Sequence, residues 1–201
     1  MAITADMVKK LREQTGAGMM DCKKALTETD GDFEKATTLL RERGVAVATK
    51  RDSRMASEGV IGSYIHTGSQ IGVLVELNCE TAPVAKTDEF GQLARDLAMH
   101  ISWSNPRYLQ REDIPEDVLE KEREVHRQWA IKEGKPEKVI DRIVEGRMKE
   151  FYSQACLLEQ PFIKDEEQTI QDLIYGAVGK LGEKMSVARF VRFRVGETAG
   201  D

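Results

Sequence analysis

Three histidines (His66, His100, His126) and three cysteines (Cys22, Cys79, Cys156) carry most of the reactive chemistry in this 201-residue chain. An enzyme needs a nucleophile beside a base, paired carboxylates, or metal ligands at fixed spacing. The sequence has no HxxxH or CxxC spacing. His66 ends an alternating run and His100 lies beside the apolar stripe of a helix, positions that suit structural roles. The carboxylates of "REDIPEDVLEKERE" (Arg111 to Glu124) pair with basic residues at i, i+4 and read as a solvated helix face. "TGAGMMDCKK" (Thr15 to Lys24) is glycine-rich but lacks the GxxxxGK[ST] spacing, and it joins two helices instead of following a strand. The expectation is therefore no catalytic centre, no intrinsic nucleotide site, no cofactor and no metal.

Two other stretches suit contact with a partner. Met19 and Met20 follow the TGAG turn of a unit too small to hide both of them. One is expected to pack inside, and the other to meet a protein partner with Arg12 nearby. "ELNCETAPVAK" (Glu76 to Lys86) ends a strong alternating run and then breaks at Ala82-Pro83, where proline cannot donate to a sheet ladder. A stiff strand that stops at such a turn delivers the turn to a defined place.

These stretches need elements to hold them. Residues 1–44 read as three short helices. Thr4 caps the first, which carries Val8 and Leu11, and Ile3 precedes the cap. The second runs from Met20 to about Glu28. The third carries Phe33, Ala36, Leu39 and Leu40 and is closed by Gly44. Residues 45–57 lose the periodicity and read as a linker. From residue 58 to 201 the pattern is α+β. Strands Gly59–His66 and Gln70–Cys79 are joined by Thr67-Gly68-Ser69, and Ile71, Val73, Val75, Leu77 and Cys79 share one face of the second strand. A helix follows from about Thr87 to Trp103. The next, after Pro115, places Val118, Glu122, Val125 and Trp129 on one side. A further helix carries Ile140 to Ala155, "LLEQPFIKDE" is an irregular connection, and the last helix carries Ile170 to Leu181. The strand Met185–Gly196 then puts Val187, Val191, Phe193 and Val195 on one face; two readings stand, pairing with a second copy at a sheet edge, or a solvated side marked by Arg189, Arg192 and Arg194. The sum is a core with a small antiparallel sheet packed with helices.

Charged residues are 32% and hydrophobic residues 40% of the chain, and the formal net charge is −5. That balance fits a folded soluble protein and speaks against nucleic acid as the main partner. With no apolar run of bilayer length and no signal-peptide core in "MAITADMVKK", neither a membrane nor export is expected. Cysteines that are few, odd in number and far apart point to the cytoplasm.

"LREQTGAGMMDCKKAL" (Leu11 to Leu26) closely resembles the N-terminal signature of the bacterial elongation factor Ts family, the guanine-nucleotide exchange factors of elongation factor Tu. "ELNCETAPVAK" resembles the family's second signature, usually ELNCETDFVAK, and "KLGEKMSVARF" (Lys180 to Phe190) resembles its KIGENI-xx-RF segment. The likeness runs from Ile3 to about Gly196, in the order and spacing of the family's short form. It implies a ubiquitin-associated-like three-helix domain, a linker and an α+β core. It also implies contacts with elongation factor Tu at Arg12, Met19, Met20, Thr81, Ala82, Pro83, Val84, Leu181 and Gly182. In the family, the Asp-Phe of the loop after the second strand intrudes beside the Mg²⁺ and phosphate site, and GDP leaves. Here that pair is Ala82-Pro83, which removes the carboxylate and the aromatic wedge. Lys184 stands where the family commonly has Asn. Two readings remain open: an exchange factor with weakened exchange, or a module that binds elongation factor Tu or another protein without efficient exchange.

Overall fold

Thr4 opens the first helix as its spacing suggests, its hydroxyl accepting from the Met7 amide at 3.3 Å. The computed structural model describes residues 2–197. In chain order the elements are α1 (Ala5–Thr15), α2 (Met19–Glu28), α3 (Phe33–Arg51), β1 (Glu58–Ile65), β2 (Ile71–Cys79), the single turn α4 (Ala82–Ala85), α5 (Asp88–Ser104), α6 (Glu116–Lys132) and α7 (Glu137–Ala155). They end with β3 (Pro161–Phe162), β4 (Asp165–Thr169), α8 (Ile170–Leu181) and β5 (Met185–Arg194). This is an α+β fold with antiparallel sheets of order β1-β2-β5 and β3-β4. Among the described residues no helix is long and apolar enough to cross a membrane.

The first three helices bury Val8, Leu11, Cys22, Ala25, Leu26 and Ala36 against one another. Gly44 does not close α3. It lies buried inside the helix, where α3 crosses α8. A Cβ on Gly44 would sit 3.1 Å from the Tyr175 carbonyl oxygen, and a Cβ on Gly179 would come 3.2 Å from the Gly44 Cα. The glycine serves close helix packing here, a role that periodicity cannot tell apart from termination. Residues 45–51, expected in a linker, are therefore the last two turns of α3, and Val47 and Ala48 pack into the main core.

That core lies between the three-stranded sheet and helices α5 and α8. Val73, Val75, Leu77 and Cys79 of β2 face Phe90, Leu93, Leu97 and Ile101. Helix α5 rests directly on β1 at Gly62, where a Cβ would come 2.7 Å from the Ala94 carbonyl oxygen. The face expected for β5 is corrected by a bulge. Glu76 pairs with Arg189 and Leu77 with Val187, so Ala188 is an extra residue on β5. One inserted residue swaps the faces. Met185 and Val187 are buried, whereas Val191 and Phe193 point outward.

Helices α6 and α7 pair around a separate small core of Ile114, Leu119, Ala130, Ile140, Val144 and Met148. The seam of α6 lies one residue on from the expected stripe. Leu119 and Ala130 are buried while Val125 is 61% exposed. Trp129 instead lies under the Arg147 guanidinium, 4.9 Å from the ring centroid. "LLEQPFIKDE" is not wholly irregular, since it contains the short β3-β4 hairpin. A two-residue strand shows no alternation to read.

Candidate partner-contact face

Three segments carry the residues singled out in the sequence. In the first, Arg12 sits in the last turn of α1 and Met19 and Met20 in the first turn of α2, on either side of the Thr15–Gly18 turn. Gly16 ends α1 at φ 66°, a conformation that suits glycine, and its amide donates to the Arg12 carbonyl at 2.8 Å. Neither methionine packs inside. Met19 is 46% and Met20 62% exposed. The small interior is built instead from Val8, Leu11, Cys22 and Leu26, with Met7, Phe33, Leu39 and Leu40 packed around them.

The second segment follows β2. Residues 82–85 form one helical turn, closed by the Ala85 amide donating to the Thr81 carbonyl at 3.2 Å. Pro83 occupies a first-turn position, where its missing N–H would have had no intrahelical partner. The ladder has already ended at Cys79, and the proline sits in the turn without removing an intrahelical bond. Ala85 is buried in the core, Ala82 and Val84 are half-buried, and Thr81 and Pro83 are exposed. The Thr87 hydroxyl accepts from the Phe90 amide and donates to the Val84 carbonyl, fixing the turn to the start of α5.

The third segment ends α8. Gly182 is left-handed at φ 73°, and its amide donates to the Val178 carbonyl at 2.9 Å. Leu181 and Gly182 are half-buried. Glu183, next in the chain, accepts from both the amide and the hydroxyl of Thr81, at 3.0 and 2.6 Å. Thus the second and third segments are joined directly. The first reaches them through Lys180: a Cβ on Gly16 would lie 3.7 Å from Lys180 Nζ, and that ammonium pairs with Glu89 of α5 at 3.3 Å.

Glu80 is the most strongly perturbed carboxylate that the sequence reading passed over. It accepts from the Lys184 amide at 2.6 Å and from Arg51 and Arg54, each at 3.0 Å. The Lys184 amide above all, with Arg54 and Arg51 added, holds its pKa down at about 2. It lies within the second signature, between Cys79 and Thr81, but nothing local shows that its carboxylate meets Arg51, Arg54 and the Lys184 amide.

The reactive side chains have structural partners. His100 is buried, accepts from the Ile163 amide on Nδ1 at 3.3 Å and donates from Nε2 to Gln160 Oε1 at 2.9 Å. Burial holds its pKa below the usual value, which keeps the ring neutral. Burial also raises the Cys79 thiol and pushes Cys156 up to about 11, so neither is a ready thiolate.

Short turns with exposed side chains, two of them tied together at the end of a sheet, suit a protein that works by surface contact. Comparison with known proteins is more particular. The model of the family described as "Elongation factor TS" matches residues 1–197. The elongation factor Ts of Moorella thermoacetica is 58% identical over 195 residues, covering 97% of this chain and 96% of the relative. That of Heliobacterium modesticaldum is 56% identical over 195 residues, covering 97% and 91%, and that of Solibacter usitatus 54% over 198 residues, covering 98% and 93%. The chain belongs to the elongation factor Ts family. It is a translation elongation factor, at work in protein biosynthesis.

Proposed function

We propose that the chain binds elongation factor Tu carrying GDP and promotes GDP release so that GTP can enter, with no covalent chemistry of its own. The observation that carries this reading is the joining of Thr81 to Glu183, which sets the turn after β2 beside Leu181 and Gly182 in a member of this family. The exposed methionines and Arg12 grip the GTPase from the N-terminal unit, and the stiff β2 drives the 81–84 turn toward the Mg²⁺ and phosphate side of the partner. The work is done by linkage. A protein that prefers the nucleotide-free GTPase must weaken GDP by the same factor, and each tenfold of weakening is about 1.4 kcal/mol of coupling.

Ala82 and Pro83 bear on how far the turn intrudes. Proline keeps the turn helical but offers a short ring where a phenylalanine would project, and alanine offers no charge. Exchange is therefore weaker than with the family's Asp-Phe. Stopped-flow release of fluorescent GDP from elongation factor Tu tests this. The double variant Ala82→Asp, Pro83→Phe should release GDP about tenfold faster than the parent. Equal rates would show that the wedge is dispensable. Binding measured by calorimetry with no acceleration in either protein would favour the module that binds without exchange.

A second reading concerns self-association through the sheet. Its outer face carries Ile61, Ile65, Leu74, Val191 and Phe193, the last 66% exposed. A second copy of the chain laid face to face on this sheet would cover it. Light scattering should give twice the monomer mass for the parent and the monomer mass for Phe193→Asp. A monomer for both would remove this reading.

A further inference from the structure

The ladder between β2 and β5 ends at the pair Cys79 and Met185. Beyond that pair the two chains separate, yet their next free amides are not left to solvent. The Lys184 amide on one side donates to Glu80 on the other, at 2.6 Å. The Thr81 amide donates to Glu183, at 3.0 Å, and the Thr81 hydroxyl joins it at 2.6 Å. Two carboxylates thus continue the pairing past the end of the sheet, each taking the backbone of the opposite strand. The arrangement is reciprocal, as in a helix capping box, but spans residues 102 and 104 apart in sequence. Hydrogen bonds to ionised acceptors are among the strong ones.

The same clasp reaches a third segment. Arg51 in the last turn of α3 and Arg54 just beyond it both bond to Glu80, whose side chain is only 16% exposed. Lys184 returns the contact, its ammonium bonding to the carbonyl of Asp52 with the Asp52 carboxylate 3.5 Å away. The end of the helix carrying the N-terminal unit, the turn after β2 and the end of α8 therefore meet at two glutamates. An exposed ion pair would add little to stability. These two carboxylates sit where the end of α3 meets the two core segments, and each satisfies a backbone amide as well as a charge or a hydroxyl.

We propose that Glu80 and Glu183 are positioning residues that lock the end of α3, the 81–85 turn and the 181–184 segment into one face, so that the face presses on its partner as a unit. This rests on the exchange reading given above. Without the clasp the 81–85 turn would still form, since its own hydrogen bonds and Ala85 hold it. It would swing on its strand, and a swinging wedge binds but transmits little force.

Two measurements on the full chain test the proposal. Amide hydrogen exchange on the chain alone should show protection at Thr81 and at the 82–87 turn falling at least about tenfold in Glu183→Ala, with the β2 and α5 amides unchanged. Unchanged protection at Thr81 and the turn would overturn the lock. Release of fluorescent GDP from elongation factor Tu, titrated with parent and variant, then separates grip from push. Glu183→Ala should lower the maximal release rate about five- to tenfold while the half-saturating concentration stays within about twofold. Glu183→Gln, which keeps one acceptor oxygen at the same reach, should recover part of that rate. A merely structural role would reduce the active fraction at raised temperature and leave the maximal rate per folded molecule unchanged, and that result would overturn the proposal. The release arm is run in the parent and in the Ala82→Asp, Pro83→Phe background. If neither accelerates release, the exchange reading fails, whereas loss of protection in Glu183→Ala would still establish the lock.

Discussion

The N-terminal turn and the turn after β2 both carry residues proposed to meet the partner, but they are held in opposite ways. The Thr15–Gly18 turn belongs to a three-helix unit whose interior is a handful of small and medium side chains. The 81–85 turn grows from a central strand backed by the main core and is cross-tied by Glu80 and Glu183. Methionines on the first can adapt to a partner because they are unbranched and exposed. The second is anchored at both ends, which suits the proposed push on a partner. A contact that only grips needs little scaffold behind it, whereas one that deforms its partner needs a great deal.

Removing core volume should separate the two regions most sharply. Phe90→Ala empties the centre of the main core and should cost about 3–5 kcal/mol, read as a fall in the guanidinium midpoint of the whole chain. Leu26→Ala should cost about 3 kcal/mol and act locally: amides of residues 5–40 should lose hydrogen-exchange protection while those of β2 and α5 keep theirs. Equal loss everywhere would mean that the N-terminal unit and the core unfold as one, which the long α3 makes the natural competing outcome.

Gly44→Ala probes that connection. The added methyl would meet the Tyr175 carbonyl at 3.1 Å, a backbone atom with little freedom to move. The expected cost is about 1–2 kcal/mol by thermal or chemical unfolding. A neutral or stabilising result would show that α3 and α8 can part slightly, so that the gain in helix propensity wins.

Acid should act on the clasp before it acts on the interior of the N-terminal unit. Glu80 titrates at about 2 in the folded chain against an ordinary value of 4.5. A depressed carboxylate pKa contributes stability that is complete above 4.5 and is lost as pH falls toward 2. The difference in melting temperature between parent and Glu80→Gln should therefore shrink across that window. His100 works over a higher range. Its folded pKa lies below the usual 6.5, so the unfolded chain takes up a proton first and stability begins to fall as pH drops through 6.5. Replacing His100 by Gln should flatten that part of the curve.

Much of this fold is legible in the residues themselves. The alternation of β2, the cap at Thr4 and the apolar stripe of α5 are local patterns, and each lands where its spacing says. What spacing could not show depends on contacts between distant residues. Gly44 reads as a stop because nothing local reveals that α8 crosses there. Ala188 adds one residue to β5, and only its pairing with β2 exposes the resulting swap of faces. On α6 two candidate stripes lie side by side, and the partner helix selects Leu119 and Ala130 over Val125. The site divides in the same way. Thr81 to Val84 and the TGAG turn announce themselves by composition. Glu80 and Glu183 lie inside the quoted signatures, but only the folded chain shows that they bond to Arg51, Arg54 and each other's backbone segments.

The central claim is that this chain loosens GDP from a translational GTPase by pressing on it from outside. Its most direct test is the rate of fluorescent GDP release from elongation factor Tu with unlabelled nucleotide in excess, measured as substoichiometric amounts of the chain are added. The rate should rise with each addition, because every molecule turns over many GTPases. A rate that stays at the spontaneous value, even with the chain in excess, would contradict it.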